Sequence, residues 1–294
     1  MKKTKILTTL WPAIDNEDML LNLYNNWVNL IRFNFSHANY EGSLKSLEVI
    51  NKLNKSGKTN FWILLDTKWP EIRTGDLKEK NIYKKWDEFK IYTVKSDKIS
   101  SKDLFCDYEY LQEDIELWQN VIIDSWLLSV EVLKKEKDWV LVKANNDATI
   151  WSRRHVNLPW VKLKLPWITK KDKEDILFAI ENKFNFIAAS FIRCADNVKE
   201  IKKLLKKQDC DTIKIISKIE NQEWIDNLNE IVRESDWIMA ARWDLWIEVP
   251  INKLPIYQKE MVHLARENGK IVIIATHLLE TMIENPFPTR AESS

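Results

Sequence analysis

The feature that most constrains this chain is a rhythm: short apolar runs that end in polar residues, most of them followed by a helical pattern. KILTTL, VNLIRFNFS and FWILLDT open the chain, and FNFIAASF, TIKIISKIE, WIMAARWD and IVIIAT return later. NEDMLLNLYNNW and KEDILFAIENKF bring apolar residues back every three or four positions, as amphipathic helices do. Strands that read as near-continuous apolar runs are those buried on both faces of a parallel sheet, and parallel neighbours need crossover helices. The pattern predicts an α/β fold, as a βα barrel or a doubly wound sheet. Residues 71 to 157 break the rhythm with short alternating runs such as NVIID and WVLVKANN, and read as an inserted β domain. The insertion leaves from LLDTKWP, the C-terminal end of a strand, where barrel enzymes carry their active-site loops, so it is placed to act as a lid.

Composition excludes several classes of partner. Across 294 residues, 45 basic and 44 acidic side chains leave a net charge of +1, which gives no footprint for nucleic acid or an anionic membrane. No stretch approaches the ~18 uncharged apolar residues that span a bilayer, so a cytoplasmic protein is expected. Cys106, Cys194 and Cys210 are unclustered and suggest neither disulfides nor a zinc site.

Polar residues collect where the strands end. Arg32, Asn34 and Ser36 alternate along one run and would share one side of a strand. Asp66, Thr67 and Lys68 close the third run, Lys218 and Glu220 the fifth, Arg242 and Asp244 the sixth, Thr276 and His277 the seventh. A single charge after a strand is usually just solvated, but a barrel would gather this whole set on one rim. Glu220 and Asp244 suit Mg²⁺, which takes few carboxylates and keeps sites for water and substrate. Arg32, Arg73 and Lys218 suit a phosphoryl group in transfer, whose charge must be neutralised. Asn34, Ser36 and Asp66 offer oxygens for a second cation. No glycine-rich phosphate loop of the Walker or protein-kinase type is present.

KILTTLWPA, IRFNFSHA, ILLDTKWPEIRTG, VNLPW, FIAASFIR, IISKIEN, SDWIMAARWDLWIE, ATHLLETM and NPFPTRAE resemble, in order and spacing, the signatures of the pyruvate kinase family. The resemblance implies an incomplete TIM-type (β/α)₈ barrel with an inserted small β-barrel lid: residues 1–70 and 158–294 in the barrel, 71–157 in the lid. It implies Mg²⁺- and K⁺-dependent phosphoryl transfer from phosphoenolpyruvate to ADP, giving pyruvate and ATP. Catalytic roles fall on Lys218, Arg32 and Thr276, and substrate contacts on Arg32, Lys218, Trp243, Asp244 and Thr276. Asn34, His37, Arg73 and Arg154 fall to the nucleotide, Glu220 and Asp244 to Mg²⁺, and Asn34, Ser36, Asp66 and Thr67 to K⁺. Glu71 resembles the potassium-dependent branch. Arg154 stands where lysine is common and His155 where glycine is usual. The full-length parent is expected to be a homotetramer.

Two departures stand out. The chain has 4 glycines and 15 tryptophans, where about 7% glycine is ordinary. Trp11, Trp27, Trp69, Trp118, Trp126, Trp151, Trp160, Trp167, Trp224, Trp237, Trp243 and Trp246 stand where the family commonly has glycine; Trp62 and Trp86 match no firm family glycine. UGA codons that the source reads as glycine would produce this pattern. If the indoles are real, Trp243 obstructs the substrate cleft, and a non-catalytic barrel that binds or regulates is the alternative. A Mg²⁺-dependent lyase or aldolase is a third reading, against which Lys218 and the potassium set argue. The chain also ends before the family's eighth strand and C-terminal domain, so free sheet edges are expected to make this polypeptide prone to aggregate.

Overall fold

The protein is described by a computed structural model covering residues 4–36, 38–68, 71–95, 99–166, 168–221, 223–250, 252–276 and 278–293. His37, Trp69, Trp167 and His277, singled out above, lie outside these residues. Three strands open the chain, β1 (Ile6–Thr9), β2 (Val28–Asn34) and β3 (Trp62–Asp66), with α1 (Glu17–Asn25) and α2 (Tyr40–Lys55) between them. Eight short strands follow: β4 (Asn81–Tyr83), β5 (Glu88–Tyr92), β6 (Leu104–Phe105), β7 (Asn120–Ile123), β8 (Leu128–Lys135), β9 (Trp139–Ala144), β10 (Ala148–Ile150) and β11 (Val156–Asn157). Among the described residues only α3 (Leu111–Asp114) interrupts them. Then come α4 (Lys170–Glu181), β12 (Phe186–Ala189), α5 (Ala195–Lys207), β13 (Lys214–Ile219), α6 (Trp224–Glu234) and β14 (Trp237–Ala241). The chain closes with α7 (Arg242–Glu248), α8 (Leu254–Glu267), β15 (Ile271–Ala275) and α9 (Arg290–Ser293).

The strands outside the insertion form one sheet of seven in the order β1-β2-β3-β12-β13-β14-β15, every pair parallel. This is the expected incomplete (β/α)₈ barrel, with β1 and β15 as its edges. Both faces are covered, which is why the strands read as unbroken apolar runs. Ile31, Phe33, Ile63, Leu65, Ile187, Ile215 and Ile238 belong to one core with helix residues such as Leu47, Ile50, Val198, Leu228 and Ile231. The alternate residues Leu30, Leu64, Phe186, Ala188, Ile216 and Met239 form a second cluster, which fills the barrel interior. Local chemistry starts the helices. Asn39 accepts the Gly42 N–H at 2.7 Å ahead of α2, and Thr169 and Asp172 form a reciprocal capping box on α4. Caps of this kind contribute about 1 kcal/mol each.

The eight inserted strands have a separate core, built from Tyr83, Phe89, Ile91, Val121, Val130, Val132, Val140 and Val142 among others. Six of them form a sheet ordered β11-β7-β8-β9-β5-β6, antiparallel except between β5 and β6. Burial alternates strictly along β9, as it does for a strand with one face in a core.

One expectation needs correction. The sixth run does not carry Asp244 at a strand end: β14 stops at Ala241, and residues 242–248 are helical. Trp243 and Trp246 therefore sit one helical turn apart, with rings edge to face at 5.8 Å.

Candidate active site

Period two along the strands builds the site. Leu30, Leu64, Phe186, Ala188 and Ile216 face the interior, and the next residues on that face toward the C-terminal end are Arg32, Asp66, Ser190 and Lys218. Strand register then sets them side by side. Asn34 pairs with Asp66, Asp66 with Ala188, and Thr9 with Arg32.

These side chains interlock. Arg32 Nε meets Asp66 Oδ2 at 2.6 Å, and its guanidinium also donates to Thr9 Oγ1 at 2.7 Å. Lys218 Nζ lies 3.1 Å from Asp66 Oδ1 and 2.8 Å from Glu220 Oε1, and donates to Ser190 Oγ at 2.8 Å. Ser190 Oγ in turn reaches the Thr67 carbonyl at 2.9 Å. The Phe191 N–H donates to Glu220 Oε2 at 2.7 Å, from a left-handed backbone at φ 51°. Asp66 and Glu220 are each 1% exposed, so their charges have no bulk water to rely on.

Electrostatics sort the four ionisable groups. Burial works against the Lys218 charge, but Asp66, Glu220 and Asp244 outweigh it and hold the amine above its usual range. Burial likewise opposes ionisation of Asp66, and Lys218 with Arg32 overcomes it, so that carboxyl is held below its ordinary value. Glu220 goes the other way. Burial pushes it up to about 7, Lys218 opposes the rise, and Asp244 adds to it. Burial also raises Asp244, a rise that Lys218 opposes and the negative charge of Asp66 and Glu71 reinforces. The pair carries more negative charge than its surroundings neutralise. Among the described residues Glu220 Oε1 is buried beside the Lys218 ammonium at 2.8 Å and has no other donor. A hard divalent cation fits such a pair: it needs only one or two carboxylates, takes the unfilled lone pairs and relieves the repulsion. Among the described residues no group of three or more His, Cys, Asp or Glu is arranged to hold a metal.

At the next rim position the Trp243 N–H donates to Thr276 Oγ1 at 3.1 Å, and Arg242 Nε donates to the Ala275 carbonyl at 3.2 Å. Thr276 holds φ 62°, a left-handed conformation that costs a threonine about 1–3 kcal/mol and that surrounding structure must enforce.

The family of this fold is decided by direct likeness. A family description of the pyruvate kinase barrel domain matches residues 1–294. The chain belongs to the pyruvate kinase family. It is 39% identical over 297 residues to a pyruvate kinase of Clostridium perfringens, covering all of this chain and 62% of that protein. It is 38% identical over 294 residues to plastidial pyruvate kinase 2 of Arabidopsis thaliana, of which it covers 50%. Among solved structures, a pyruvate kinase from Cryptosporidium parvum superposes with a TM-score of 0.93 at 36% identity, over 99% of this chain and 61% of that one. The chain thus spans between about half and three-fifths of the length of these relatives.

Of the residues that the pyruvate kinase resemblance singled out, the structure draws Arg32, Asp66, Lys218, Glu220 and Asp244 into one electrostatic cluster. Asn34 and Thr67 adjoin it. Asn34 Oδ1 accepts the Ser36 N–H at 3.2 Å, and Thr67 Oγ1 accepts the Ser190 N–H at 3.3 Å. With the Asp66 carboxylate these form an oxygen-only set, the donor type that a hard monovalent cation takes. Arg73 and Arg154 bond elsewhere. Arg73 is held by Glu71 at 2.8 Å and by the Arg153 carbonyl at 2.9 Å, while Arg154 lies 3.6 Å from Asp124. Both therefore belong to the lid side, and among the described residues Arg154 Nε has no hydrogen-bond partner. Ser190 is the residue that the sequence reading missed. Counting by two from Phe186 and Ala188 would have found it.

Proposed function

We propose that this chain forms the phosphoryl-transfer part of a pyruvate kinase, which moves the phosphoryl group of phosphoenolpyruvate to ADP and releases pyruvate and ATP. The observation that carries this reading is Lys218, a charged amine only 9% exposed, clasped by Asp66, Glu220 and Ser190 at the C-terminal rim of the barrel. A fixed cation without water around it suits a group that passes as a loosely bonded, highly charged phosphoryl, because stabilisation must come from preorganised charge.

In this reading Arg32 and Lys218 hold the phosphoryl oxygens, and Asp66 fixes the direction of both cations. Glu220 and Asp244 hold Mg²⁺, which when bound supplies positive charge to the substrate oxygens. Asn34, Ser36, Asp66 and Thr67 hold K⁺. Thr276 Oγ1 and the Trp243 N–H bound the far side of the pocket, where the substrate carboxylate and the enolate sit. His37, Arg73 and Arg154 meet the nucleotide once the lid closes, consistent with the lid-side partners of both arginines. The division into residues 1–70, 71–157 and 158–294 follows, with the middle segment as the closing lid. In this reading the full-length protein acts in glycolysis, in the cytoplasm, as a homotetramer.

The test is a turnover assay on the full-length protein with phosphoenolpyruvate, ADP, Mg²⁺ and K⁺, against the Lys218→Met variant. Pyruvate formation that drops at least ~100-fold in the variant supports the reading, on the scale of losing one preorganised charge-stabilising group. Ligand binding without turnover in the parent protein would sink it.

A further inference from the structure

Five tryptophans share a backbone that an indole-bearing residue rarely takes. Among the described residues thirteen non-glycine residues have positive φ, and Trp27, Trp86, Trp118, Trp126 and Trp160 hold the largest of those angles, between 66° and 77°. All five side chains are exposed, from 44% to 66%. Packing therefore does not force the conformation; the chain path does.

Each of the five stands where that path calls for glycine. Trp27 follows α1 and its cap residue Asn26, and its N–H donates to the carbonyl three residues back at 3.0 Å. Gly57 after α2 and Gly269 after α8 make the same bond at 3.1 and 3.0 Å with φ 74° and 66°. Trp27 is thus in the left-handed position just past a helix, where glycine predominates. Trp86, Trp118 and Trp160 are each third in a four-residue turn, closed by Asp87 N–H to Lys84, Gln119 N–H to Glu116, and Val161 N–H to Leu158. Positive φ at the third position is the glycine requirement of a type II turn, and Pro159 before Trp160 supplies the usual second residue. Trp126 lies in the four-residue connection of the β7–β8 hairpin, where Asp124, Ser125 and Trp126 all hold positive φ and Leu127 N–H closes on the Asp124 carbonyl at 3.0 Å, so that Ser125 and Trp126 are the two central residues of the turn. That is the type I′ geometry whose second residue is characteristically glycine. Trp86 lies under Lys85 and Lys143 at 4.6 and 5.4 Å, contacts that 62% exposure leaves weak.

We propose that in the native polypeptide these five residues are glycine, encoded by UGA and read as glycine by the source organism. Trp86 joins the set on geometry alone, having no family glycine to match. Trp11 and the helical Trp224, Trp243 and Trp246 place no such demand on the backbone. For them glycine follows from a shared codon, and at Trp243 that would open the rim beside Thr276.

Peptide mass spectrometry of the protein purified from the cells that encode it reads each position directly, next to the gene sequence. Glycine at all five with UGA in the gene is expected. Tryptophan at any of them, or UGG codons, overturns the proposal. Independently, the full chain with all five changed to glycine should melt higher and stay soluble longer than the chain carrying tryptophan; equal or lower melting overturns the structural argument.

Discussion

At Asp66, one side chain governs two cations, because its two oxygens are divided between Arg32 and Lys218. Asp66→Asn leaves both positive groups short of their counter-charge in a buried setting, so a loss of about 3–5 kcal/mol in denaturant unfolding is expected. Ser190→Ala removes a hydroxyl that Lys218 uses as a guide rather than as a charge. Turnover should fall while the phosphoenolpyruvate KM changes little, and Ser190→Thr should recover part of the loss. Glu220, pushed up to about 7, must lose its proton before a divalent cation can take its place. Calorimetric Mg²⁺ affinity should therefore be weaker at pH 6 than at pH 8, with protons released on binding. These residues were legible because charged groups two apart after apolar strands are conspicuous. Ser190 was not, because a serine inside AASF carries no charge to betray which face it occupies.

The elements were legible where one periodicity ran long enough. All seven barrel strands and the helices α1 and α4 lie where the apolar runs placed them. The sixth strand was read too long, since Asp244 occupies the first turn of α7; a helix that starts directly on a strand leaves no turn residues to mark the boundary. Turn chemistry was unreadable for a different reason, because the residues that would announce the turns are written as tryptophan. Among the lid elements, His155 pairs with Arg73 in an isolated antiparallel bridge, and faces Glu71, Arg73, Asp107 and Asp124. Burial holds its imidazole below the usual range, the acidic neighbours opposing this and Arg73 reinforcing it. The folded form thus binds a proton less readily than the unfolded chain. Stability should be fully present above pH 6.5 and decline as pH falls from there toward the depressed folded value. A His155→Gln variant should lose that part of the slope in thermal melts taken between pH 5 and 8.

Across the molecule, separate cores for the barrel and the insertion and one open parallel sheet follow from the sequence, whereas pocket shape and lid attitude do not. The edge strands β1 and β15 present half-exposed apolar side chains, among them Ile6 at 41% and Ile271 at 52%, beside backbone groups that no strand among the described residues pairs with. The 294-residue polypeptide on its own should associate through these edges, as light scattering after size exclusion would detect; a sharp cooperative melt as a monomer would rule this out. The insertion has a further consequence, in time rather than in space. Strands β3 and β12 are hydrogen-bonded neighbours, yet Ile63 and Asn185, which join them, are 122 residues apart in sequence. Each doubling of the loop between two pairing segments adds about 0.6 kcal/mol to the entropy of closing it. A lid that first collapses on its own core shortens that loop. The expected order of assembly is then lid first and seam second, and Lys218, which already shares the β12–β13 side of the seam with Ser190, meets Asp66 only as the seam closes.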